Sequence, residues 1–171
     1  MLLLCDFMDI SKIEPGDKYM INVFIESVKD STNYYRYDDK LGLFTLKRIL
    51  KVPFPGCYGF IPRTHHIDAK LMDVLLLTSG QIQKGTVVPA KPIGLMRLRA
   101  EIPDDVLIAI PLADKEFDDI KDISSINKET LDKFKVFLEQ FKELKVENIY
   151  DSEHAKRSVE RAIEMYKKVV K

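Results

Sequence analysis

Hydrophobic periodicity changes once along this chain, near Pro111, and that change limits the architectures open to it. Before Pro111 the apolar runs are short and rich in β-branched or aromatic residues: Tyr19 to Glu26, Tyr34 to Tyr37, Leu43 to Ile49, Asp73 to Thr78, Thr86 to Arg99 and Val106 to Ile110. Pro15-Gly16, Gly42, Pro53, Pro55-Gly56, Gly80, Gly85 and Pro103 punctuate them, which reads as strands joined by turns and predicts a β-meander or small barrel. Asp38 to Gly42 predicts a hairpin, because glycine supplies the positive φ of a tight turn. After Pro111, Leu131, Phe134, Leu138, Phe141 and Leu144 recur at three- and four-residue steps and predict a helix packed on the barrel. Asp151 or Ser152 caps a final helix whose buried side is Ala155, Val159, Ala162, Ile163 and Tyr166. The fold class is α+β and mainly β.

Composition narrows the function classes. A chain of 171 residues, 46% hydrophobic and 32% charged, holds one ordinary core, so a single domain over 1–171 is expected. Lys+Arg 27 against Asp+Glu 27 gives formal net charge +0, which disfavours nucleic acid and anionic membranes as partners. Stacking of bases on Tyr34, Tyr35 and Tyr37 is disfavoured on the same ground. Cys5 and Cys57 form neither a metal-ligand spacing nor a disulfide framework, which fits a reducing cytoplasm and packing roles. The Leu2–Leu4 run is interrupted by Asp6 and Asp9, too short and wrongly flanked for a signal or a membrane span. His65 and His66 point apart on extended chain, which argues against a joint metal site.

The densest chemistry lies between Phe54 and Asp73: F-P-G-C-Y-G-F-I-P-R-T-H-H-I-D-A-K-L-M-D. This segment resembles the signature of the family I (soluble, magnesium-dependent) inorganic pyrophosphatases: an aromatic and Pro, then Tyr-Gly-aromatic-Ile-Pro-x-Thr, then a triple-acid D-x-D-P-x-D motif. The resemblance runs from about Ile21 to the end, through Lys91 to Gly94, Ile108 to Pro111, Phe117 to Asp122 and Phe141 to Leu144. It implies a five-stranded, oligonucleotide-binding-like β-barrel carrying two helices, and homo-oligomers, dimers or hexamers. The family's reaction needs magnesium, a hard cation held by oxygen ligands, to lower the pKa of the attacking water and to neutralise the developing charge.

Residue by residue, the resemblance assigns Glu26 as a site glutamate, Arg48 as a phosphate-binding arginine, Tyr58 as the tyrosine after the aromatic-Pro pair and Lys142 as a phosphate-binding lysine. Asp68 and Asp73 match metal-ligand aspartates. Asp104 is assigned as a third surviving acid, with Asp105 open as the alternative because the alignment gap can slide.

Other positions depart from the pattern. Lys70 replaces the central acid of the triple-acid motif, and a lysine ammonium cannot coordinate magnesium and repels it. Arg36 stands at a site acid, Tyr34 at a phosphate-binding lysine, Ala100 at an aspartate and Val106 at a lysine, while Phe54 and Phe141 replace tyrosines. One lost transition-state donor typically costs ~10²- to 10³-fold in rate. The expectation is therefore a pyrophosphatase homologue with an eroded site, weakly active or inactive. It keeps a phosphate- or pyrophosphate-sized pocket formed by Arg36, Arg48, Lys70 and Lys142, with Lys70 tethered by Asp68 and Asp73; the plainer alternative for Lys70 is a relic contact. The competing readings are a genuine diphosphatase with magnesium as cofactor, and a structural or regulatory subunit of an oligomer.

Overall fold

The structure, a computed structural model, describes residues 8–67 and 69–170, so the expectations for Cys5 and Asp68 lie outside the described residues. Among the described residues, eight strands and two α-helices follow one another as β1 (Ile21–Ser27), β2 (Asn33–Asp38), β3 (Leu43–Ile49), β4 (Cys57–Ile61), β5 (Met72–Leu76), β6 (Val87–Leu98), β7 (Asp104–Pro111), α1 (Lys128–Lys142), β8 (Val146–Tyr150) and α2 (Ser152–Val169). Neighbours in the main sheet run β1-β4-β5-β7-β6-β8, and an additional β1–β6 pairing closes the first five into a ring. This is the five-stranded barrel with two helices expected from the sequence. β2 and β3 form a separate hairpin. Periodicity predicts neither β4 nor β8: each has only five residues, β4 is buried at every position, and β8 is a mostly exposed edge on β6.

Strand alternation divides the apolar side chains into two cores. Ile21, Val23 and Ile25 of β1, Val74 and Leu76 of β5, and Leu107 and Ala109 of β7 fill the barrel, which Ala155, Val159 and Ala162 of α2 close. Leu75 of β5 and Val106, Ile108 and Ile110 of β7 point to the opposite face, where Phe134, Phe137, Leu138 and Phe141 of α1 cover them together with Phe54 and Tyr58. A register shift between Pro92 and Gly94 in β6 resets the alternation, so that Val88 and Ala90 face inward before it and Leu95 after it.

Capping chemistry sets the helix ends. Asn127 accepts from Thr130 N–H at 2.8 Å to start α1, and Asp151 accepts from His154 N–H at 2.8 Å to start α2. α1 stops where Glu143 turns left-handed at φ 56°. The β2–β3 turn closes on Asp38, whose Oδ1 accepts from the N–H groups of Lys40 and Leu41, with Gly42 at φ 67°. No helix among the described residues is long and apolar enough to cross a membrane.

Candidate active site

The parity that places Leu75 and Val106 on the α1 face also places Asp73 and Asp104 there, one strand step away from each. Glu26 of β1 and Tyr58 of β4 reach the same group of side chains. Two further elements complete it: Arg36 from the β2–β3 hairpin and Lys142, the last residue of α1.

Charges in this cluster alternate. Arg36 Nη1 donates to Glu26 Oε1 at 2.8 Å and lies 3.3 Å from Asp73 Oδ1. Lys142 Nζ lies 3.2 Å from Asp73 Oδ2 and 3.2 Å from Asp104 Oδ2. Tyr58 donates its hydroxyl to Asp73 Oδ2 at 2.7 Å, and the N–H of Tyr37 donates to Glu26 Oε2 at 2.7 Å. Both oxygens of Asp73 and both of Glu26 therefore already hold donors, as buried carboxylates require.

Proton affinities follow from this arrangement. Burial pushes the Glu26 carboxyl up to about 7, against the opposing pull of Arg36 and the Tyr37 N–H. Burial acts on Asp73 in the same direction, but Lys142, Arg36 and the Tyr58 hydroxyl together outweigh it and hold that carboxyl below its ordinary value. Tyr58, fully buried, is raised well above a free tyrosine by desolvation and by the Asp73 charge.

The structure brings Glu26, Arg36, Tyr58, Asp73, Asp104 and Lys142 together. Arg48 takes a different direction: its Nη2 donates to the Phe141 carbonyl at 2.5 Å, and the guanidinium lies over the Phe141 ring, 5.3 Å from its centroid. A cation beside the last turn of a helix satisfies its free carbonyls and its dipole. Arg48 and Phe141 also line a surface cavity of about 490 Å³, whose other walls include Leu50, Val52 and Phe137. Lys70 is exposed at the loop before β5. Of the four cations expected to converge on one anion, Arg36 and Lys142 face carboxylates and Arg48 faces a carbonyl.

Asp104 and Asp105 separate cleanly, because neighbouring residues on a strand face opposite ways. Asp104 meets Lys142. Asp105 points to the other side, where it accepts from Arg97 Nε and Nη2 at 2.7 and 2.8 Å and meets His66 Nε2 at 2.7 Å. Burial would raise the Asp105 carboxyl, but hydrogen bonds from Arg97 and His66 and their charges hold it at about 2. His65 turns away to an edge contact with Tyr166, 5.2 Å between ring centroids. Sequence reading missed the Asp105–Arg97–His66 group, whose members lie on separate segments with no motif spacing.

The signature segment also has structural duties. Phe54 is fully buried against Phe137, Phe141 and Tyr58, and Val106 is fully buried beneath α1. Cys57 is a buried free thiol, pushed up by desolvation. Thr64 ties the loop after β4 by donating to the Ile61 carbonyl at 2.6 Å and accepting from Met72 N–H at 3.1 Å.

The described carboxylates are occupied by donors of the chain itself. Among the described residues, no three His, Cys, Asp or Glu side chains are grouped to hold a metal ion. An ion approaching Asp73 competes with a guanidinium, an ammonium and a hydroxyl for its oxygens.

Comparison with known proteins agrees with the geometry at the level of family. The family model described as inorganic pyrophosphatase matches residues 23–167. The inorganic pyrophosphatase of Haloferax volcanii is 33% identical over 175 aligned positions, covering 97% of each chain. That of Helicobacter pylori is 34% identical over 171 positions, covering 93% of this chain and 99% of the other. Among solved structures, the Thermus thermophilus inorganic pyrophosphatase superposes with TM-score 0.86 at 30% identity, covering 94% of this chain and 99% of its own. The Helicobacter pylori structure gives 0.82 at 33%, covering 91% and 99%.

Proposed function

From the premise that the chain belongs to the inorganic pyrophosphatase family, we propose that it is a member whose hydrolysis of pyrophosphate is weak or absent, because the acids of its site are neutralised from within. The observation that carries this reading is Asp73, whose two oxygens are held by Arg36 on one side and by Lys142 and Tyr58 on the other. In-line attack on a phosphoanhydride needs an activated water and fixed positive charge at both entering and leaving oxygens. Here the positive charge is spent on carboxylates. Arg36, Lys70 and Ala100 stand where the family pattern has acids, which supports the reading from sequence.

A phosphate-sized anion that enters this site must exchange with Asp73 and Asp104 for Arg36 and Lys142, so the same reading includes metal-free anion binding, and makes it weak. Exposed apolar side chains at Leu46, Ile49, Val52 and Val136 support homo-oligomeric assembly, and the free thiol of Cys57 supports residence in a reducing compartment such as the cytoplasm.

One observation favours a genuine magnesium-dependent diphosphatase: Glu26, Tyr58, Asp73, Asp104 and Lys142 all stand in one cluster in a chain about one-third identical to proteins named for that activity. Restoring the acids separates the readings. Arg36→Glu combined with Lys70→Asp and Ala100→Asp is expected to gain magnesium-dependent phosphate release over the unsubstituted chain. If the unsubstituted chain already turns over pyrophosphate rapidly and the triple variant gains nothing, the proposal is wrong.

A further inference from the structure

Glu26, Arg36, Asp73, Lys142 and Asp104 form an unbroken line of alternating charge contributed by five different elements, β1, β2, β5, α1 and β7. We propose that Arg36 and Lys142 are the resident counter-cations of this site, and that Arg36 masks a divalent-cation site between Glu26 and Asp73. This rests on the family reading above, but concerns metal binding and stability rather than turnover.

Geometry carries the argument. A single nitrogen of Arg36, Nη1, makes both contacts, so Glu26 Oε1 and Asp73 Oδ1 face one point that already holds a positive charge. The two carboxylates are almost fully buried, at 1% and 7% exposure, and a buried carboxylate without a counter-charge is strongly disfavoured. Glu26 Oε2 and Asp73 Oδ2 are fixed independently by the Tyr37 N–H and by Tyr58 with Lys142. Removal of the guanidinium therefore leaves Glu26 Oε1 and Asp73 Oδ1 oriented but without the cation they share, and hard divalent ions take such ligands. While Arg36 is present, it competes from within the chain at an effective concentration of millimolar or more and needs no stripping of an inner hydration shell.

The hairpin position adds a mechanical consequence. β2–β3 is a sheet of its own, so the Arg36 bridge is one of the ties between it and the barrel. A cation from solution at that point would neutralise Glu26 and Asp73 without holding the hairpin.

Manganese serves as the probe in chelator-stripped protein. Binding is read from the loss of the free-ion paramagnetic resonance signal, and thermal melting is followed with and without the ion. The unsubstituted chain is expected to bind no Mn²⁺ at submillimolar concentration and to keep the same melting temperature. Arg36→Gln is expected to melt lower in chelator, to recover part of that loss in Mn²⁺, and to bind the ion at least roughly tenfold more tightly. Arg36→Gln with Asp73→Asn should lose that gain. If Arg36→Gln does not fold without metal, Arg36→Lys provides the second arm, since one ammonium serves both carboxylates poorly and a smaller gain in affinity is expected. Tight Mn²⁺ binding by the unsubstituted chain overturns the proposal, as does a folded Arg36→Gln or Arg36→Lys with unchanged affinity. Phosphate release in the same samples bears only on the hydrolysis reading, so the two can fail separately.

Discussion

Tyr58 reaches diagonally across the β4–β5 pair to donate its hydroxyl to Asp73 Oδ2 at 2.7 Å, so a fully buried phenol orients the carboxylate on which both cations of the site converge. Tyr58→Phe removes that donor while keeping the ring that packs on Phe54 and Phe141. We expect a loss of roughly 1.5–3 kcal/mol in urea unfolding, the usual worth of a hydrogen bond to a charged group. The Asp73 carboxyl should also titrate higher, because the hydroxyl helps to hold it down. Unchanged stability together with an unchanged Asp73 titration by NMR would contradict the assigned role.

Removing the acid itself should cost more. Asp73→Ala leaves Arg36 and Lys142 near one another in a partly buried setting with no shared counter-charge. Loss of one partner from such a network typically costs about 3–5 kcal/mol. Asp73→Ala combined with Arg36→Met should cost less than the sum of the two single substitutions, since their shared contact is lost only once. Simple additivity of the two substitutions would show that the residues are not coupled.

Acid stability should depend on Asp105. Its carboxyl sits at about 2 in the folded chain against an ordinary value of 3.8, so its contribution is fully present above pH 3.8 and is lost as pH falls towards 2. Asp105→Asn should therefore lower stability at neutral pH by roughly 2 kcal/mol and flatten the fall in stability between about pH 4 and pH 2. The check is chemical denaturation across that range. An identical slope in both proteins would rule out Asp105 as a source of the acid limb.

The glycine of the signature has a steric duty. A Cβ built on Gly59 would lie 1.9 Å from the Phe24 carbonyl oxygen of the paired strand β1. Gly59→Ala must push β1 and β4 apart, and overpacking of this kind costs about 1–3 kcal/mol or more. A fully stable alanine variant would contradict the close approach of the two strands.

The barrel and both helices are legible in the sequence because strand alternation and the three- and four-residue stripe each bury a continuous apolar face. Leu75 and Leu77 share one side of the chain at and beyond β5, and Phe134, Leu138 and Phe141 share one side of α1. β8 carries no such signal: it adds to the edge of β6 with most of its side chains exposed. Which residues cluster is partly legible, since Glu26, Tyr58, Asp73, Asp104 and Lys142 are all singled out by the signature and its flanking matches, and they meet. Pairing is what sequence does not supply. The signature shows that Lys70 replaces a motif acid, but nothing in it places Arg36 of the hairpin between Glu26 and Asp73. Nor does sequence choose between Asp104 and Asp105, which differ only in the face of β7 they occupy.

Hydrolysis of pyrophosphate with magnesium or manganese, measured as phosphate release beside the Helicobacter pylori relative under the same conditions, tests the central claim most directly. The self-neutralised site predicts a rate at least ~10³-fold lower than that relative, as loss of transition-state contacts implies. A rate within about tenfold of it, abolished by Asp73→Asn and absent from a mock purification, would contradict the account and establish this chain as a working diphosphatase.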